Sequence, residues 1–199
     1  MSVRIYLEGG FQGSTKSDCR KAFRLFFEKI IPPGSFMVIA SGDRVSTFRD
    51  FCEALRQHRD DYIILLVDSE GPVGKSPWQH LAERVGDQWR RPDAVADDQA
   101  QLMVEVMESW FFADKAALIA YYGQGFLGNS LPGQTNIELI SKQDVFRALE
   151  HASQHAQKGR YRKTAHGFDL IEKIDPVRLR AASPHAARLF DVLERETTG

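Results

Sequence analysis

Ile63-Ile-Leu-Leu-Val67 constrains this chain more than any other stretch. It follows the acidic turn Asp60-Asp61 and stops at Asp68, with Glu70 close behind. A short, β-branched-rich run with no polar interruption reads as a central parallel strand covered on both faces. The carboxyl end of such a strand is where open α/β sheets place ligands. Asp68 stands at that end, and two more extended residues would turn Glu70 to the same side. Two carboxylates at one strand mouth repel unless a proton or a cation comes between them.

The segments around this run alternate. Val3 to Leu7 reads as a strand ending in Glu8-Gly9-Gly10, where the glycines permit a sharp turn or close approach. Apolar residues from Cys19 to Ile30 recur at three- and four-residue spacing, which predicts a helix from Ser14 to Ile31, closed by Pro32-Pro33-Gly34. A second strand spans Phe36 to Ala40, and a second helix runs from about Ser46 to His58. Strand, helix, strand, helix, strand with tight loops is the α/β pattern, and crossover handedness makes the sheet parallel.

Residues 71–97 form a long polar connection with one short helix near Trp78 to Val85. The spacing of Leu102, Met103, Val106, Met107 and Trp110 predicts a helix from Asp98 to about Ala113, with Gln101, Glu105 and Glu108 on its solvated face. Asp114 caps a helix through Tyr122, Ser141 opens one to about His155, and Asp175-Pro176 and Ser183-Pro184 each start another. The expectation is one domain over 1–199, with an α/β core over 1–125 and a helical extension over 126–199.

Totals narrow the function classes. The chain has 199 residues, 43% of them hydrophobic, and a formal net charge of −1, so a disordered chain is excluded. Nucleic acid would meet no general basic surface, only a local patch. Cys19 and Cys52 lack metal spacing and read as reduced thiols. Without a signal-like or membrane-length apolar run, the expectation is a soluble cytoplasmic protein with no membrane role.

Glu8, Asp68 and Glu70 are the leading metal candidates, because magnesium takes hard oxygen ligands from a few carboxylates, water and substrate phosphate. Strand-end acids also cap helices and bond turn amides, and spacing serves that reading equally well. Lys158, Arg160, Arg162 and Lys163, with Tyr161 between them, form a basic loop suited to phosphates and a stacked base, or simply to solvent. Ser69 to Ser76 mimics a phosphate loop around Lys75, but Asp68 and Glu70 put negative charge at the anion site and Pro77 removes an amide. His151 and His155 share a helix face without a third ligand and read as surface residues.

Leu7-Glu8-Gly9-Gly10 and Val67-Asp68-Ser69-Glu70 resemble the two signature motifs of the Toprim domain, which occurs in topoisomerases, bacterial primases and overcoming-lysogenization-defect nucleases. Glu70 stands where that pattern has a second aspartate. Met107 to Phe112 resembles an acidic-aromatic helix of the overcoming-lysogenization-defect branch, and nearly the whole chain is similar to a bacterial family of uncharacterised stand-alone Toprim-like proteins. The resemblance implies a Toprim-like, Rossmann-like parallel sheet flanked by helices. It further implies a nuclease using two magnesium or manganese ions held by Glu8, Asp68 and Glu70, with Glu108 assisting and Lys163 or Arg160 neutralising the phosphate. DNA is the expected nucleic acid, an ABC-type ATPase in phage defence the implied partner, and a homo-oligomer is left open. The rival readings are a non-catalytic regulatory subunit of an ATPase and a nucleotide-binding protein acting through Lys75.

Overall fold

A computed structural model describes residues 2–10 and 13–198, with side chains from 15 onward in the second stretch. The first strand, β1 (Val3–Glu8), leads through α1 (Gly13–Phe27) to β2 (Phe36–Gly42), then through α2 (Arg44–Gln57) to β3 (Tyr62–Asp68). A short helix, α3 (Pro77–Glu83), precedes β4 (Ala100–Met103), and all pairings in the order β2-β1-β3-β4 are parallel.

The run from Ile63 to Val67 is apolar throughout because each residue has a buried destination. Ile64 and Leu66 join α1 and the C-terminal helices in one core, while Ile63, Leu65 and Val67 join Phe51, Trp78 and Leu81 in another. The sheet thus separates two apolar layers, as a doubly covered parallel strand requires.

The remaining helices are α4 (Lys115–Tyr122), α5 (Lys142–Ser153), α6 (Lys163–Ile171), α7 (Pro176–Ala182) and α8 (Pro184–Thr198). They complete the core on the α1 side: Phe190 packs on Phe26, and Leu149, Leu170 and Leu193 belong to the same cluster as Ile5 and Phe23. Four of these starts follow caps read from sequence, with Asp114 accepting from Ala117 N, Ser141 from Asp144 N, Asp175 from Val177 N and Ser183 from Ala186 N, whereas α6 begins at Lys163 behind Arg162 without a side-chain cap.

The helix expected from Asp98 to Ala113 does not form. Residues 97–99 make one 3₁₀ turn, β4 follows, and a longer 3₁₀ segment spans Met107–Ala113. Gln99 redirects the chain: its Nε2 donates to Ile63 O at 2.8 Å and its Oε1 accepts from Ala96 N at 2.8 Å. The apolar spacing fitted a helix, but Gln101, Glu105 and Glu108 on the supposed outer face are buried as well. Burial on every side favours a strand pairing with β3 over an amphipathic surface helix. No helix among the described residues is long and apolar enough to cross a membrane.

Candidate metal centre

The strand order reverses direction between β1 and β3, since α1 carries the chain to β2 on one side and the next crossover returns past β1. Ligand crevices of open α/β sheets lie at that switch point, beyond the carboxyl ends of the strands. Glu8 ends β1 and Asp68 ends β3, so both acids stand there. Gly9 and Gly10 let α1 close over the strand end. A Cβ on Gly10 (φ +72) would lie 2.5 Å from Lys16 Cα, and one on Gly9 would lie 2.8 Å from Cys19 Sγ.

A cavity of about 340 Å³ opens at this point. Glu8, Asp68 and Lys163 share its lining with Met103, Met107 and Phe168, and most of the wall is apolar. Asp68 is only 5% exposed, and its Oδ1 accepts from Met107 N at 2.7 Å. Next in the chain, Glu108 is fully buried; Oε1 accepts from the Tyr161 hydroxyl at 3.0 Å and faces Lys163 Nζ at 3.5 Å. Oε2 of Glu108 is buried with no hydrogen-bond partner.

Burial pushes the Asp68 carboxyl far above the aspartate range, and the Glu108 charge pushes it further. Glu8 is also raised by burial, against the opposing pull of Arg44. Desolvation works against the Lys163 ammonium, yet Glu108, Asp68 and Glu8 outweigh it and hold its pKa above the usual lysine value. One lysine is therefore shared among three acids.

The family model for DUF4276, a domain of unknown function, matches residues 14–194. The chain belongs to that family. No curated protein and no solved structure matches it.

The structure treats the sequence candidates unequally. Glu8, Asp68 and Lys163 meet at one cavity, with Glu108 buried beside them. Glu70 does not continue the strand. Its φ of +63° turns the chain, its N–H donates to Glu105 O, and its carboxylate pairs with Lys142. The extended geometry that would align it with Asp68 is absent, although its charge still bears on Glu8 and Asp68.

Tyr161 is buried beneath the loop, so it cannot offer its ring to a nucleic-acid base as expected. Burial and the neighbouring Glu108 push its hydroxyl far above the usual tyrosine range, which keeps it a donor to that acid. Lys158 lies over the Tyr121 ring, Arg160 pairs with Glu150, and Arg162 is exposed; none of the three lines the cavity. Glu105, expected at the surface, is buried and accepts from Lys142 N at the start of α5.

Lys75 pairs with Glu83 at the surface, and α3 begins at Pro77 and has only seven residues. His151 and His155 are exposed, as expected.

Sequence reasoning missed Arg44, the first residue of α2. It donates to Glu8 at 3.2 Å and to Asp68 O at 2.7 Å, and grips Asp87 through two bonds of 2.7 Å. Its guanidinium also lies over Trp89, which stacks on Phe48. The available signal was a cation directly after Gly42-Asp43 at a strand end, but nothing in the sequence named its partners.

Among the described residues, no three carboxylate, imidazole or thiol groups are gathered as a finished metal site. Magnesium and manganese do not require one: one or two carboxylates suffice when water and substrate phosphate complete the shell. Glu8 and Asp68 supply such hard oxygens, and one oxygen of Glu108 beside them is buried with no hydrogen-bond partner, while Lys163 faces the other at 3.5 Å. The donor set fits a hard divalent cation.

Proposed function

We propose that this protein hydrolyses phosphodiesters of nucleic acid with a divalent cation, magnesium or manganese, in the manner of the Toprim domain its strand-end motifs resemble. The observation that carries this reading is the deficit of donors at the switch point. Asp68 is nearly inaccessible yet has one backbone N–H, and one oxygen of buried Glu108 has none. A carboxyl buried with so few donors either holds its charge at a cost of several kcal/mol or gives it up to a proton, and folding alone gives little reason to keep it there.

The cation, when bound, would supply Lewis acidity and an activated water. Glu8 and Asp68 would hold it, with Arg44 fixing Glu8 from the opposite side. Glu108, oriented by the Tyr161 hydroxyl, would position the water. Lys163 would leave its shared role among the acids and neutralise charge building on the phosphate. Glu70, held by Lys142, would contribute at longer range through its charge.

Lys and Arg total 26 against 27 Asp and Glu, and four loop cations hold a polyanion only weakly at physiological salt. A partner with a positive groove would supply grip, and the resemblance points to an ABC-type ATPase. The regulatory-subunit reading has one observation in its favour: Arg44 and Lys163 already neutralise part of the cluster without a metal.

One assay separates the two. Plasmid, linear duplex, single-stranded DNA and RNA are incubated with manganese at low salt, comparing wild type with Glu8→Ala. Cleavage lost in the variant supports the phosphodiesterase. Equal traces in both proteins, with manganese binding intact in the wild type, leave the regulatory subunit.

A further inference from the structure

Asp68, one of the two acids that would hold the cation, is only 5% exposed, and Glu108 behind it is fully buried. A phosphate must enter the cavity to reach them. At about 340 Å³, that cavity lies at the small end of the range for small-molecule sites. It has room for one nucleoside unit and none for a duplex. Its wall also has the wrong character for a run of backbone phosphates. Among the described residues, Met103, Met107 and Phe168 give it an apolar body with one aromatic ring, and the charged groups lining it are Glu8, Asp68 and Lys163. An apolar body with a few convergent polar groups suits a ligand that carries a flat ring at one end and a phosphate at the other. Three cations near it are already engaged, Arg44 by Asp87, Lys142 by Glu70 and Arg160 by Glu150, while Arg162, next to Lys163, is exposed.

From this geometry we propose that the cavity takes one terminal nucleotide, its base and sugar against Met103, Met107 and Phe168 and its phosphate toward Lys163. The substrate class is then a single-stranded end or a short oligonucleotide, not the interior of a duplex. Water adds to phosphorus, the ester P–O bond breaks, the leaving oxygen takes one proton, and the other passes to solvent. This inference rests on the phosphodiesterase reading for the chemistry, but binding by the cavity can be measured without turnover.

The experiment is equilibrium binding of dAMP and of inorganic phosphate, each with and without manganese, to wild type and Thr164→Trp. Thr164 is an exposed residue of α6 at the cavity lining, so the indole narrows the entrance while leaving the acids in place. Circular dichroism checks that the variant is folded, and Thr164→Val serves as a second, small replacement that should bind like wild type. The expected result is dAMP affinity at least tenfold above phosphate, falling at least tenfold in Thr164→Trp. Equal affinity for dAMP and phosphate, or a preference that survives in Thr164→Trp, overturns the proposal. Manganese affinity of wild type against Asp68→Asn is read in parallel. Its failure would remove the metal-dependent reading whether or not the cavity selects nucleotides.

Discussion

Two acidic regions of this molecule, one half-buried and one buried, face opposite circumstances. Glu138 accepts from the Ser183 hydroxyl at 2.5 Å, from His185 N at 2.8 Å, and from His185 Nδ1 at 2.8 Å. Burial works to raise its pKa, but these donors outweigh it and hold the carboxyl below the usual glutamate range. Asp68 receives one N–H, and burial with the Glu108 charge drives it the other way. The first acid ties a loop to the start of α8, and its donors explain its presence. The second has fewer, and Lys163 and Arg44 balance only part of the charge around it, as expected of a site that takes further positive charge from outside the chain.

The largest expected effect is on metal affinity. Asp68→Asn keeps the bond from Met107 N and removes the charge, so calorimetry should detect no manganese or magnesium binding. Without metal, and above about pH 8 where the folded Asp68 loses its proton, the same variant should melt higher than wild type, by roughly 2–4 °C for each kcal/mol of repulsion relieved. Unchanged metal affinity would erase the contrast with Glu138.

Lys163→Ala should slow phosphodiester cleavage by about two to three orders of magnitude, the usual loss for a charge stabiliser at the reacting phosphate. Lys75→Ala, at a surface pair with Glu83, should leave the rate nearly unaltered. The reverse ranking in single-turnover rates would move the chemistry to the loop after β3.

On the structural side, Glu138→Gln should cost about 2 kcal/mol, since it weakens charge-assisted bonds in a nearly buried setting. That corresponds to a melting temperature lower by roughly 4–8 °C for a chain of this size. A drop of that size with no change in metal affinity would mark Glu138 as purely structural.

The smallest effects are in pH. Glu138 has a depressed folded pKa, so its contribution is present above the usual value of 4.5 and fades as pH falls through the lower folded pKa. Asp68 has a raised folded pKa, so the metal-free native state binds its proton more tightly than the unfolded chain. Its sign is opposite: stability declines as pH rises above the usual 3.8 and through the raised folded pKa. Denaturant titrations of wild type, Asp68→Asn and Glu138→Gln across that range should show the two trends. Parallel curves for all three proteins would remove the distinction.

Local sequence determined much of the fold, because local rules carry it. The uninterrupted run from Ile63 to Val67 specified a strand buried on both faces, and Asp114, Ser141, Asp175 and Ser183 marked helix starts through bonds to amides only a few residues away. The positions of Glu8 and Asp68 at strand ends followed from the same alternation. What depended on distant partners was decided only by the tertiary structure. Residues 98–113 carried a helical period, yet β3 offered an unpaired edge and Gln99 bonded to Ile63, so four of them became a strand. Glu108 looked solvent-facing by spacing and Tyr161 looked open in a basic loop, yet they are buried against each other, 53 residues apart in the chain. Arg44 reached Glu8, Asp68 and Asp87 from three separate segments, and Glu70 turned away to Lys142. Periodicity records which residues seek burial, but the partner of a buried charge is set by which segments the folded chain brings together.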